Sequence, residues 1–272
     1  MRSNHFLNRV ILDREEVTDW EAYPFSVPAI RELNELELHP KVTFFVGENG
    51  SGKSTLLEAI AEKLGFQSMG GGRNASAGQF GYESALTRPL RLSRTQNRPL
   101  DGFFLRAESF YNFATGLDEL EQQPFCGGAL RWYGGRSLHA QSHGESFLNL
   151  LTERLHGHGL YLFDEPEAAL SPQHQLSMLV RLHDLVQDFS QFIITTHSPL
   201  IMAYPEAWIY QFTPAGIRRV AYEETEHYRI THAFMRNPQA MMRELPRRDD
   251  ELGLGDAWGR GHEKGRTLRC GL

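Results

Sequence analysis

The sequence is poor in cysteine and lysine and has no long apolar run. Its two cysteines, Cys126 and Cys270, cannot build a disulfide framework or a cysteine-rich zinc site, and its 12 histidines show no metal-ligand spacing. Lysine occurs only as Lys41, Lys53, Lys63 and Lys264, and 28 basic against 34 acidic residues leave a net charge of −6. That balance lacks the global positive footprint of a nucleic-acid binder, although a local basic patch stays compatible with it. Apolar runs such as 42–46 fall far short of the ~18 residues that span a bilayer, which excludes integral membrane insertion. The opening MRSNHFLNRVILDREE mixes charges into its apolar stretch and has no small-residue cleavage pattern, so no secretory signal is expected and a cytoplasmic location is. No repeat of about 20–50 residues and no heptad run is visible.

What is present is enough apolar material for a sizeable core. With 40% hydrophobic and 23% charged positions in 272 residues, the prior is one large α/β domain or two small ones. Short apolar runs separated by turn signals read as strands over residues 1–46, the first of them in an antiparallel part of the sheet. From 54 to 64 the spacing turns helical, with Leu56, Leu57, Ile60 and Leu64 on one face and Gly65 at the C-cap. Further strand-like runs lie at 103–105, 160–163 and 192–194. Between the last two, Ser171 as N-cap and Pro172 as first helical residue open a helix. Its expected buried face is Leu176, Leu179, Val180, His183 and Val186. A strand-helix-strand unit of this kind predicts a parallel sheet.

The Gly-, Ser-, Arg- and Asn-rich stretch 66–100 has no period and is expected to be a flexible insertion. Residues 207–222 read as a hairpin around Pro214-Ala215-Gly216, and 231–245 as a closing helix broken at Pro238. The tail, 247–272, carries mixed charges without apolar period and is expected to be disordered. A single domain over 1–246 is the resulting expectation.

Four motifs carry chemistry. Gly47-Glu48-Asn49-Gly50-Ser51-Gly52-Lys53-Ser54 lies between an apolar strand and an amphipathic helix. Glycines there let successive backbone N–H groups converge on phosphate oxygens at a helix N-terminus, with Lys53 reaching the β- and γ-phosphates and Ser54 ligating Mg²⁺. A plain glycine turn would leave Lys53 unexplained. Asp164 and Glu165 end the apolar run 160–163, at the strand edge where ligands bind in open α/β sheets. Consecutive strand side chains point opposite ways, which suits Asp164 to the metal shell and Glu165 to orienting and deprotonating a water. Ser142-His143-Gly144-Glu145 is first of all a capping box, and its free helix N-terminus could also meet an anion. His197 ends the run 192–194 at the same sheet edge, which makes it a candidate γ-phosphate contact rather than a packing histidine.

In this order the motifs resemble ABC-type ATPase domains, especially compact bacterial AAA-family ATP-binding proteins related to SMC, RecF and recombination heads. The likeness spans about residues 1–245. It implies a P-loop NTPase of ABC-ATPase type, with a mainly parallel central sheet flanked by helices, an antiparallel β part, and a signature-bearing part over roughly 101–158. It implies ATP and Mg²⁺ as cofactors. Gly47, Glu48, Asn49, Gly50, Ser51, Gly52, Lys53, Ser54 and Thr55 would hold nucleotide, Ser54 and Asp164 the metal, and Glu165, His197 and Lys53 the catalytic roles. Ser142, Gly144 and Glu145 would occupy the signature that meets the γ-phosphate bound to a second subunit. His143 departs from the family's glycine, Ser171 from the aspartate of its D-loop, and Glu108 or Ser109 stands where the family has glutamine. Tyr23 or Phe25 could stack on adenine. The implied activity is Mg-dependent ATP hydrolysis by an ATP-sandwiched homodimer. The alternatives are an ATP-gated module binding DNA or a protein partner with little turnover, and an ATPase subunit of a transporter. Only about 110 residues separate loop from acidic pair, too few for coiled-coil arms.

Overall fold

The computed structural model describes residues 5–66, 70–72, 84–122, 128–140 and 143–244. Two compact units divide the chain, Met1–Tyr228 and Arg229–Leu272, so the division comes earlier than the boundary at 246 read from composition. In order, the first unit carries β1 (Leu7–Leu12), α1 (Pro28–Arg31), β2 (Glu35–Glu37), β3 (Val42–Gly47), α2 (Lys53–Lys63), β4 (Gly71–Gly72), β5 (Leu90–Arg94), β6 (Asp101–Arg106) and α3 (Phe110–Glu121). These are followed by α4 (His143–Asn149), which runs on into a π-helical turn at Leu150–Arg154, then β7 (Gly159–Asp164), α5 (Pro172–Gln187), β8 (Gln191–Thr195), α6 (Pro199–Met202), β9 (Trp208–Thr213) and β10 (Gly216–Val220). The division falls inside α7 (Glu226–Arg236), and α8 (Pro238–Glu244) lies in the second unit. The break between α7 and α8 falls at Pro238, where the sequence placed it.

A seven-stranded sheet has the order β10-β9-β3-β8-β7-β6-β4. Its five central strands are parallel, and β10 and β4 are antiparallel edges. Every residue of β3, β7 and β8 is buried, as parallel strands covered on both faces must be. The period of two then sends alternate side chains to two cores. Phe45, Leu160, Leu162 and Ile193 pack with Leu56, Leu57 and Ile60 of α2. Phe44, Tyr161, Phe163, Phe192 and Ile194 pack with Phe110, Phe147, Met178 and Leu182 of α3, α4 and α5. The fold is thus α/β, with a mainly parallel sheet between helical layers.

A second, antiparallel sheet, β2-β1-β5, carries the antiparallel part. It is joined to the main sheet by the buried Gln191 amide, whose Oε1 accepts from the Phe6 and Leu7 N–H groups at 2.9 Å and whose Nε2 donates to the carbonyls of Leu7 and His39.

Two sequence expectations are corrected. Residues 84–100, read as part of a flexible insertion over 66–100, contain β5, which pairs with β1 across five registered positions, and the fully buried Leu86 and Leu90. Glu62 of α2 fastens this segment by accepting from Ser84 N–H and Thr87 Oγ1. The tip of the insertion, 73–83, and the tail 247–272 lie outside the described residues. The buried face of α5 is Gln175, Met178, Leu182, Leu185 and Val186, leaving Leu176 and Val180 48% and 65% exposed. A polar residue turns inward because its amide is satisfied there: Gln175 Nε2 donates to the Leu170 carbonyl and its Oε1 accepts from Ser198 Oγ at 2.6 Å.

Candidate functional site

Sheet register assembles the site. Phe45 is paired with Thr195, Thr195 with Asp164, and Asp164 with Arg106, so the carboxyl ends of β3, β8, β7 and β6 meet in one row. The loop after β3 needs its glycines. Gly47 has φ +144°, and a Cβ there would sit 2.6 Å from the Phe212 carbonyl oxygen; Gly50 and Gly52 are left-handed at +76° and +97°. The chain then enters α2 directly at Lys53.

Lys53 is 3% exposed, and its ammonium donates to the Gly47 and Glu48 carbonyls, both at 2.9 Å. Burial pushes its pKa down, against the pull of Glu165, Asp164 and Glu167. Ser51 Oγ is buried without a hydrogen-bond partner. Ser54 Oγ donates to Asp164 Oδ1 at 2.8 Å, and the same oxygen accepts from Thr195 Oγ1 at 2.6 Å. Thr55 Oγ1 is 2.8 Å from the Tyr23 hydroxyl. Glu48, Asn49, Gly50 and Ser51, together with Pro28 and Pro214, line a cleft of about 440 Å³. Of the two candidate stacking aromatics, Tyr23 is 68% exposed, whereas Phe25 belongs to the core.

The two adjacent acids diverge not by strand alternation, as the sequence suggested, but because β7 ends at Asp164 and the chain turns sharply after it. Asp164 closes β7, whereas Glu165 takes φ +48° and donates its N–H to the Thr195 carbonyl and hydroxyl. Asp164 therefore faces Ser54, and Glu165 Oε1 lies 3.3 Å from His197 Nε2. Burial, and then the charge of Asp164, push the Glu165 carboxyl above its ordinary pKa, with Lys53 opposing. Burial, and then Lys53, push His197 below its ordinary pKa.

The residues expected to form the signature stand apart from this row in the sequence, and those described lie beside α5. Gly144 lies so close to the His174 ring that an added methyl would overlap it, and Glu145 is exposed in the first turn of α4. Ser142 lies outside the described residues. Arg181 of α5 holds the far end of the same helical stretch through the Leu151 and Leu155 carbonyls.

Three residues at this edge were not singled out from the sequence. Arg106 turns inward at the end of β6, with Nη1 2.8 Å from Glu58 Oε1 and Nε 3.6 Å from Asp164 Oδ2, while Glu108 lies 3.6 Å from its Nη2 on the solvent side. Counting register from 159–164 back to 101–106 is the signal that would have found it. Glu167 accepts from the His197 N–H, and His227 Nε2 is 3.1 Å from His197 Nδ1; neither is legible without the fold.

A glycine loop and buried lysine at a helix N-terminus, with a serine bridged to a strand-end aspartate one strand removed, resemble the site of P-loop ATPase domains. Two family models agree with that class. The model described as AAA domain matches residues 25–97, and the one described as AAA ATPase domain matches 146–202.

Among curated proteins, the ABC transporter G family member STR2 of Medicago truncatula is 27% identical over 172 residues. That match takes in 58% of this chain and 24% of that protein, so the chain spans about a quarter of the relative's length. Similar solved structures include a nucleotide-free ATP-binding cassette from an ABC transporter (15% identity, 89% of this chain and 100% of that one, TM-score 0.48). The SMC head domain from Thermotoga maritima is another (14%, 79% and 98%, TM-score 0.42). Among the described residues, no helix is long and apolar enough to cross a membrane.

Proposed function

We propose that this chain binds ATP with Mg²⁺ and hydrolyses it, and that two copies close head to tail around the nucleotides. The observation that carries the reading is the row Lys53, Ser54, Asp164, Glu165 and His197, drawn from three strands onto one edge. Two features fit a triphosphate: the buried, unpartnered Ser51 hydroxyl, and a Lys53 ammonium that only backbone carbonyls satisfy among the described residues. An anion would complete both.

In this reading the loop N–H groups and Lys53 cradle the β- and γ-phosphates, and Ser54 with Asp164 would hold the metal. The metal, when bound, supplies charge neutralisation at the phosphate oxygens. Glu165 orients the attacking water and takes its proton. A carboxyl held above its ordinary pKa suits that task. His197 presents Nε2 beside Glu165, where a γ-phosphate oxygen would complete its hydrogen bonding. Tyr23, exposed over the first turn of α2, offers a face for the base.

The signature helix of one copy, with Gly144 at its start, would close the site of the other. Two copies are therefore needed for a complete site, which makes association nucleotide-dependent. The test is Glu165→Gln. It should keep ATP binding, lose at least ~100-fold in turnover, and shift to dimer mass with MgATP in size-exclusion chromatography with light scattering. Unchanged turnover removes Glu165 from its role, and a monomer under saturating MgATP removes the dimer.

A further inference from the structure

We propose that His227 is a positioning residue that donates a hydrogen bond from Nε2–H to His197 Nδ1 and so fixes His197 in the tautomer with its proton on Nε2, aimed at Glu165 and the reaction centre. The proposal rests on the role given to His197 above, but its geometry stands by itself. Two neutral imidazoles 3.1 Å apart share one proton along the line Nε2···Nδ1, and the rings meet at 61° with centroids 5.2 Å apart. Either ring could be the donor, and the far side of His197 decides between them.

His197 Nε2 is buried, has no aligned hydrogen bond, and lies 3.3 Å from Glu165 Oε1. If His197 donated from Nδ1, its bare Nε2 lone pair would face the carboxylate and, in the working site, phosphate oxygens. Both are acceptors. If His227 donates instead, His197 carries N–H toward those oxygens and both of its ring nitrogens meet a group of opposite polarity. Burial pushes both rings below their ordinary pKa, so neutral imidazoles are the forms to consider at neutral pH.

His227 is well placed to hold this line. It sits in the first turn of α7, two residues after Thr225, which is fully buried. The Thr225 hydroxyl donates to the Tyr222 carbonyl at 2.7 Å and accepts from the Tyr228 N–H at 3.2 Å. The Tyr222 and Tyr228 rings pack with centroids 4.8 Å apart. His197 is clamped from its other end as well, since its backbone N–H donates to Glu167. Backbone and Nδ1 are thus both fixed, leaving Nε2 as the ring's working atom.

The test combines a spectrum with kinetics on the full chain. Long-range ¹H–¹⁵N spectra of the nucleotide-free protein, with His197 assigned by difference against His197→Gln, should show the Nε2–H tautomer in wild type. His227→Leu should mix the tautomers and lower kcat roughly 10–100-fold, the range seen when the group holding a histidine's second nitrogen is lost, with little change in KM for ATP. His227→Gln, whose amide can donate to Nδ1, should restore the tautomer and most of kcat. A wild-type His197 protonated on Nδ1 overturns the proposal whether or not the leucine variant folds, and so does a His227→Leu protein with wild-type tautomer and kcat. A protein with the expected tautomer but no ATP turnover would instead overturn the hydrolase reading and leave the hydrogen-bond direction standing.

Discussion

Replacing Arg106 with methionine keeps most of the side-chain volume and removes the only described cation between Glu58 and Asp164. Arg106 and Glu58 are 20% and 25% exposed at their side chains, and their contact is 2.8 Å. Removing one partner of a fully buried ion pair costs about 3–5 kcal/mol. Here partial solvent access screens the loss, and Asp164 keeps its hydrogen bonds from Ser54 and Thr195. We expect about 2 kcal/mol near pH 8. The loss should depend on pH with a definite sign. Burial already lifts the Glu58 carboxyl above its ordinary pKa, and Arg106 is the chief counterweight, so the variant raises it further. A carboxyl with a folded pKa above its unfolded one binds more protons in the native state, and stability falls as pH rises through that interval. The deficit should therefore be smaller at pH 5 than at pH 8. In urea unfolding with m of about 3 kcal/mol/M, a ~2 kcal/mol loss moves the midpoint by roughly 0.7 M. The double variant Arg106→Met, Glu58→Gln should recover most of it at pH 8. A midpoint shift equal at both pH values, or none at pH 8, refutes the reasoning.

Two further outcomes follow from the same geometry. Gln191→Leu strands the Phe6 and Leu7 N–H groups in the core; at about 1–3 kcal/mol each it should destabilise the protein by roughly 2–6 kcal/mol in urea unfolding, and a loss under about 1 kcal/mol would show that the two sheets are held together otherwise. Because Glu165 must be ionised to take a proton and its pKa is raised, kcat at saturating MgATP should fall as pH drops through a value above that of an ordinary glutamate. A profile flat down to pH 5 would contradict that role.

Much of the site was readable in the sequence because it is written in short, contiguous pieces. The glycine loop, the acidic pair and the strand-end histidine each announce themselves within a few residues, and parallel register then brings them together. What escaped depends on distance along the chain. The strand at 90–94 owes its order to pairing with residues 7–12, which no local period reveals. Arg106 matters only because β6 lies beside β7, and His227 because its ring comes to lie beside His197, 30 positions earlier in the chain. The inner face of α5 was misjudged for a different reason. Counting apolar residues favoured Leu176 and Val180, while the polar Gln175 turned inward to meet Ser198 and the Leu170 carbonyl.

The most direct measurement of the central claim is isothermal titration of the full chain with MgATP, run beside Lys53→Ala. The wild-type protein should take up one nucleotide per chain, and loss of the buried ammonium should weaken uptake by at least ~10-fold, since it removes a charge-assisted contact of about 1.5–3 kcal/mol. No uptake by wild type, or identical titrations for the two proteins, would contradict the account.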